Sequence, residues 1–277
     1  MIGLVTDSSA QLPPELLERY AVEVVPLTVT VDGVDHLEGV DLDADAFYAA
    51  FAGGAAPKVA TSQPSPGRFA ATYRKLAEAG AEEILSIHLG SAVSGTVGSA
   101  QLAASDSPVP VRVVDTRTAS FGVGCCVWEA AEALRRGATP EEAVGVAEAL
   151  VPRIGNVFVV GALDLVRAGG RLAAGAEAGE GIPVLSLVDG AVQVVGTAAD
   201  VDEATAVMAE RVRGAGDGLR VAVGIADAAA APLWQSLEAA LAGAPEVAEL
   251  VRYRVGPSVG AHTGPGTAGA FFYPAPS

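Results

Sequence analysis

Glu83-Ile84-Leu85-Ser86-Ile87-His88-Leu89-Gly90-Ser91-Ala92-Val93-Ser94-Gly95-Thr96 reads as a short buried strand, Glu83 to His88, a Gly/Ser loop and the start of a helix. The helical pattern continues to Ala104, and Val111 to Val114 is again an apolar run of strand length. Strands that alternate with helices form α/β layers with a largely parallel sheet. The same alternation extends upstream. Ile2 to Val5 is a strand, and Pro13-Pro14-Glu15 opens a helix through Tyr20 with proline in its first turn. Val22 to Val31 is rich in β-branched residues and ends at Asp32-Gly33, a hairpin signal. Asp43 is placed to cap a helix from Ala44 to Ala52, and a further helix runs from Gly67 to Ala79. Ala119 to Arg136 and Pro140 to Leu150 complete the first series as helices.

A second series starts near Asn156, with strands at Val157 to Gly161, at Pro183 to Val188 and at Val192 to Gly196, the last two forming a hairpin across Asp189-Gly190. Helices follow at Asp202 to Val212 and Ala229 to Leu241, and strands at Arg220 to Ile225, Val247 to Val255 and Ala270 to Tyr273. The change of series gives an N-terminal α/β lobe over residues 1–155 and a C-terminal α/β lobe over residues 156–277.

Composition excludes several classes. Of 277 residues, 51% are hydrophobic and 18% charged, which gives a core and not a disordered chain. The net charge of −16 repels nucleic acid and anionic membrane surfaces, and favours a partner with a basic face. Met1 to Asp7 lacks the basic n-region of a signal peptide, and no apolar run reaches the roughly 18 residues of a membrane span. The expected location is the cytoplasm, without membrane insertion. Cys125 and Cys126, adjacent in a helical run, make neither an unstrained disulfide nor a zinc site and read as small buried residues.

The polar loops carry the chemistry. Thr61-Ser62-Gln63-Pro64-Ser65-Pro66 places three hydroxyls and an amide on a segment stiffened by two prolines. Ser94 lies where it can cap the helix that follows Gly95, and a helix N-terminus is itself an anion site. Gly256-Pro257-Ser258-Val259-Gly260-Ala261-His262-Thr263-Gly264-Pro265-Gly266 reads as a rigid loop with one histidine. It contains a G-x-S-x-G pattern, but a nucleophile elbow also needs a following helix and an acid before the histidine. Asp7, Ser8 and Ser9 read as an Asx turn, Asp115 and His88 as structural strand ends, and His36 as a surface residue. Asp41, Asp43 and Asp45 lack the glycine and glutamate of an EF-hand loop, and Gly264 to Gly269 is too close to residue 277 for a dinucleotide-binding unit.

With Thr6-Asp7-Ser8-Ser9-Ala10-Gln11-Leu12-Pro13, these segments form an ordered set that resembles the DegV family of fatty-acid-binding proteins, which includes the acyl-carrying subunits of bacterial fatty acid kinases. The resemblance covers essentially the whole chain. It implies two α/β lobes with the ligand site between them, and non-covalent binding of a long-chain fatty acid. No cofactor is implied, and the chain is not an enzyme by itself. Thr61, Ser62, Ser94, Gly95, His262 and Thr263 correspond to head-group residues. Arg171, in Gly169-Gly170-Arg171-Leu172, corresponds to a weaker site position. Phe121 to Trp128 is assigned to the wall of an acyl tunnel.

A buried carboxylate needs donors, and each buried methylene contributes about 0.8 kcal/mol. The implied partner is a fatty acid kinase subunit, to which the carboxylate is presented. The chain departs from the family where Ile182 replaces a common lysine and where Gly196 to Glu203 is acidic in place of a basic stretch, which argues against a standard kinase partner. The competing functions are an acyl hydrolase or transferase using Ser94 with His262, and a lipid-sensing regulator.

Overall fold

The computed structural model describes residues 1–53, 56–168, 181–188 and 191–275. The chain forms two compact units. The first comprises Met1–Leu42 and Lys58–Pro152, the second Asp43–Pro57 and Arg153–Ser277. The segment 43–57 therefore leaves the first series and groups with the second, an excursion that the sequence pattern does not announce.

The first unit starts with β1 (Ile2–Asp7), α1 (Pro14–Tyr20), β2 (Val22–Val25), β3 (Thr28–Val31) and β4 (Val34–Leu37). After α2 (Ala44–Ala49), which belongs to the second unit, come β5 (Val59–Ser62), α3 (Pro66–Glu78), β6 (Glu83–His88), α4 (Thr96–Ala104), β7 (Val111–Asp115), α5 (Phe121–Arg135) and α6 (Pro140–Leu150). Its main sheet is four-stranded, in the order β2-β1-β6-β7, and all its pairings are parallel. Val5, Val25 and Ile84 from this sheet pack with Phe69 and Tyr73 of α3 and Ala100 and Ala103 of α4. The expected strand Val22 to Val31 is in fact two, because Pro26 interrupts it: β2 joins the parallel sheet, while β3 starts a three-stranded antiparallel sheet in the order β4-β3-β5. Asp32 and Gly33 have φ of 49° and 84°, the left-handed pair that a two-residue hairpin requires.

Residues Phe121 through Glu132 of α5 are all buried, including Cys125 and Cys126. Burial raises both thiols, that of Cys126 to about 12, so neither is a thiolate nucleophile. Glu132 is held among polar partners: Tyr20 Oη donates to it at 2.7 Å, and Arg135 and Arg136 both pair with it.

The second unit contains β8 (Gly155–Val159), α7 (Leu163–Ala168), β9 (Ile182–Val188), β10 (Ala191–Ala198), α8 (Val201–Arg213), β11 (Leu219–Ile225), α9 (Ala231–Leu241), β12 (Val247–Arg254), α10 (Pro257–Thr263) and β13 (Ala268–Pro274). Its six-stranded sheet has the order β10-β9-β8-β13-β11-β12. The α/β class holds, but the expectation of largely parallel sheets fails here. Among the described residues only β11 and β12, joined through α9, are parallel in this sheet; β13 is antiparallel to both β8 and β11, and β8, β9 and β10 pair antiparallel. The reason is connection length: β9 ends at Val188 and β10 begins at Ala191, too short a link for the crossover that parallel neighbours need. Val184 packs with Met208, Leu237 and Phe272, while its neighbour Leu185 packs with Val160, Val166 and Val192, so β9 is apolar on both faces.

Candidate functional site

In the first unit the residues singled out by sequence gather where strands end and loops begin. Thr61 and Ser62 are the last residues of β5, paired with Val29 and Thr28 of β3. Successive strand residues face opposite sides. Thr61 shares the partly buried side with Val59, and Ser62 shares the exposed side with Ala60. Pro64 and Pro66 then turn the chain into α3, with Pro66 at its first position.

Ser94 precedes α4. Its Oγ accepts from the Thr96 backbone N–H at 3.3 Å and lies 2.8 Å from Thr96 Oγ1, a local turn contact; the expected N-cap is absent, because Gly95 holds the cap position and Ser94 stands one residue too early to reach the second or third helical N–H. Gly95 is exposed, and a Cβ built on it would stand 3.0 Å from Gln63 Nε2 and 3.1 Å from Gln63 Cδ. The Thr61–Pro66 segment thus lies against the N-terminus of α4, and glycine at 95 allows the approach. Hydroxyls of Ser94 and Thr96, the Gln63 amide and the start of a nine-residue helix are brought together, an arrangement suited to an anionic or hydrogen-bond-accepting head.

Three loops at the carboxyl edge of the parallel sheet are tied to one another. Thr116 donates through N and Oγ1 to the His88 carbonyl, at 3.1 and 2.8 Å, and Gly90 N–H donates to the Thr118 carbonyl at 2.7 Å. Asp115 accepts from Ser91 N at 3.1 Å, Ser91 Oγ at 2.6 Å and Arg117 N at 2.9 Å. Burial opposes ionisation of Asp115, but the hydrogen bonds from Ser91 and Arg117 outweigh it and hold the carboxyl below its usual range. Ser120 Oγ donates to Gln11 Oε1 at 2.8 Å, and Gln11, Arg117 and Ser120 all have positive φ, at 53°, 52° and 56°. Non-glycine residues are uncommon there, so these contacts hold the loops in conformations the chain does not favour alone.

The sequence reading missed a buried polar chain behind these loops. Asp7, Ser86, His88 and Tyr73 are each fully buried. His88 Nδ1 lies 2.9 Å from Asp7 Oδ2, His88 Nε2 lies 2.6 Å from Ser86 Oγ, and Ser86 Oγ lies 2.9 Å from Tyr73 Oη. Asp7 also accepts from Leu89 N–H at 3.1 Å, Ser9 N–H at 3.1 Å and the Ser9 hydroxyl. The Asx turn expected at Asp7 exists, but it occupies only one carboxylate oxygen. Ser86, His88 and Asp7 have the order of a hydrolytic triad, yet all are sealed from solvent, so no acyl substrate reaches the serine. Half of the signal lay in the sequence, where Asp7 and His88 each end a strand and Ser86 precedes His88 by two residues on the same face; the pairing of β1 with β6 that brings them together is tertiary.

In the second unit His262 and Thr263 are partly buried, in the last turn of α10. The segment expected to be a rigid loop is a helix from Pro257 to Thr263, because Pro257 at its first position is preset for helical φ. Ser258 is the second residue of that helix, just past the turn from β12, and is buried, not displayed as a nucleophile. The helix sits on α2: a Cβ at Gly260 would lie 2.4 Å from Tyr48 Oη and 2.8 Å from Phe47, and Tyr48 Oη donates to the Val255 carbonyl at 3.1 Å. Gly264 closes the helix at φ 76°, and Thr267 Oγ1 donates to the carbonyls of Gly264 and Thr263 at 2.9 and 3.1 Å. Arg171 lies outside the described residues. His36, expected at the surface, is partly buried: it pairs with the buried Val29 of β3, which also pairs with Thr61, and its Nδ1 lies 4.0 Å from Asp41.

The acidic stretch at 196–203 has a structural use. Asp200 caps α8 by accepting from Glu203 N–H at 2.9 Å, and Glu203 accepts from Ala199 N–H at 2.7 Å. Among the described residues no group of three or more His, Cys, Asp or Glu is arranged to hold a metal ion, and no helix is long and apolar enough to cross a membrane.

The model of the DegV family, described as "Uncharacterised protein, DegV family", matches residues 1–275. The chain belongs to the DegV family. A DegV domain-containing protein of Streptomyces coelicolor is 37% identical over 273 residues, covering 97% of this chain and 96% of that protein. Among solved structures, a DegV family protein from Thermus thermophilus, described by its fatty acid binding, superposes with a TM-score of 0.86 at 35% identity and covers 99% of both chains. DegV from Bacillus subtilis, described as a fatty acid binding protein, superposes with a TM-score of 0.86 at 26% identity, again over 99% of both chains.

Proposed function

We propose that this chain binds a long-chain fatty acid non-covalently. The observation that carries the proposal is its likeness, over 99% of both chains, to the Thermus thermophilus protein described by its fatty acid binding. The local chemistry agrees: Thr61 on the partly buried side of β5, Ser94 at the start of α4 and glycine at 95 provide short-range donors without a Cβ in the way. Thr61, Ser62, Ser94 and Gly95 are the head-group residues of the first unit, and His262 and Thr263 those of the second. The chain performs no turnover by itself, and the bound fatty acid is a ligand, not a cofactor. Its partner is an acyl-phosphorylating kinase subunit only if that subunit docks without a basic edge on this chain, because Asp200 and Glu203 already serve α8. A net charge of −16 favours a partner with a basic face.

The test is extraction. Purified protein is denatured, extracted with organic solvent and the released lipids identified by mass spectrometry. About one fatty acid per chain is the expected result, with Ser94→Ala and Thr61→Val reducing occupancy. An empty extract together with no uptake of added fatty acid overturns the proposal. Turnover of an acyl ester that Ser94→Ala abolishes would replace it with the hydrolase reading.

A further inference from the structure

We infer that Asp7 and His88 are positioning residues for the loop that carries Ser94. Asp7 stands at the end of β1 and uses its two carboxylate oxygens on different segments. Oδ1 takes the backbone N–H and the hydroxyl of Ser9, while Oδ2 takes the N–H of Leu89 and Nδ1 of His88. Leu89 is the first residue after β6. The Gly90 carbonyl, one residue on, accepts from Val93 N–H at 3.1 Å and Ser94 N–H at 3.2 Å. Two hydrogen bonds joined by the Leu89–Gly90 backbone therefore link the Asp7 carboxylate to the backbone of Ser94. Both hydrogen bonds are directional, so a shift of Leu89 is passed on to the Ser94 hydroxyl beside the start of α4.

The rest of the chain fixes the ring. Asp7 accepts from every partner, so His88 Nδ1 carries the proton of that bond and Nε2 is left to accept from Ser86 Oγ, with Ser86 accepting from Tyr73; this tautomer is assigned from the hydrogen-bond pattern. Burial pushes the Tyr73 phenol up to about 12, so it remains a donor. Phe69 meets the His88 ring edge-on, with centroids 4.9 Å apart. A fully satisfied buried network of this kind specifies one arrangement, whereas a partly satisfied one does not. The inference rests on the fatty-acid reading for its ligand, but not for its structural consequence.

Asp7→Asn separates positioning from general weakening. It keeps the shape and loses the charge, and its single carboxamide oxygen cannot accept from both the Ser9 pair and the Leu89–His88 pair. Binding of hexadecanoate and of hexadecanol to lipid-free protein is measured by titration calorimetry, and amide hydrogen exchange is followed in parallel. The expected result is a loss of about tenfold or more in hexadecanoate affinity, the scale of a charge-assisted hydrogen bond, with hexadecanol changed by less than about twofold. Exchange at 89–96 should accelerate while that of α6 does not. An equal loss for both ligands, or none for either, overturns the inference. If the natural chain binds neither ligand, the fatty-acid reading fails alone, and the exchange experiment decides: unchanged protection at 89–96 overturns positioning. Should Asp7→Asn not fold, Ser86→Ala, which removes the partner of His88 Nε2, is expected to give the same pattern at about threefold, under the same overturning results.

Discussion

The two units fix their candidate binding loops by different means. In the first, the loops after β1, β6 and β7 are held by hydrogen bonds that the carboxylates of Asp7 and Asp115 accept and the hydroxyls of Thr116 and Ser120 donate. In the second, the region around α10 is held mainly by close packing at glycines. A Cβ at Gly161 would fall 2.1 Å from the Pro265 carbonyl oxygen, one at Gly264 would fall 2.7 Å from Ala162 Cβ, and Gly260 rests on Tyr48 and Phe47. Hydrogen bonds are directional, so the first unit should respond to changes of donor and acceptor at constant shape. Close packing responds to volume, so the second should respond to a single added methyl group.

The largest effect should therefore come from Gly161→Ala. Its methyl group meets backbone on Pro265, which no side-chain rotation relieves, and unfolding by denaturant should show a loss of about 3 kcal/mol or more. A loss under 1 kcal/mol would break the contrast from the second unit's side. Next comes Glu132→Gln in the first unit, an isosteric change among Tyr20, Arg135 and Arg136, expected to cost about 1–3 kcal/mol near neutral pH. This site also has a pH signature. Hydrogen bonding and charge from Arg135 lead the effects that hold the Glu132 carboxyl at about 2 in the folded chain, against an ordinary 4.5. The stabilisation is present above 4.5 and is lost as pH falls through about 2, so acid titration of stability should be flatter in Glu132→Gln across that window.

Tyr73→Phe removes one hydroxyl from the buried chain and leaves Ser86 Oγ short of a partner, at about 1–2 kcal/mol by thermal or chemical unfolding, with packing area conserved. The smallest change sharpens the comparison from the opposite direction. Gly145 lies in the interior of α6, with nothing within 4 Å of an added Cβ, so Gly145→Ala should be neutral or stabilise by up to about 1 kcal/mol. Tolerance follows the local space and not the unit as a whole, since a Cβ at Gly90 or Gly124 of the first unit would meet backbone of Arg117 or Ala10 at 2.8 or 2.6 Å.

Much of the architecture is legible in the sequence. Pro14, Pro66, Pro140 and Pro257 each stand in the first turn of a helix, because proline lacks the N–H that such positions leave unused. Asp43 and Asp200 cap α2 and α8 by a purely local mechanism. The misreadings are equally physical. Gly256 to Gly266 looks like a loop by composition, but α2 gives α10 a surface to pack on, and tertiary contact overrides the low propensity of glycine. Val22 to Val31 looks like one strand, and Pro26 divides it between two sheets.

The sequence by itself determined the α/β alternation, the hairpin at Asp32-Gly33 and the place of Ser94 just before a helix, because these follow from local periodicity and turn chemistry, while its ordered polar segments carried the resemblance to the family. Only the tertiary structure decided that Thr61 takes the partly buried face of β5, that residues 43–57 group with the second unit, and that Asp7 meets His88 across 81 residues of chain. Those outcomes depend on which strands become neighbours and on how connection length sets their direction, and hydrogen bonds between residues so far apart leave no periodic trace in the chain.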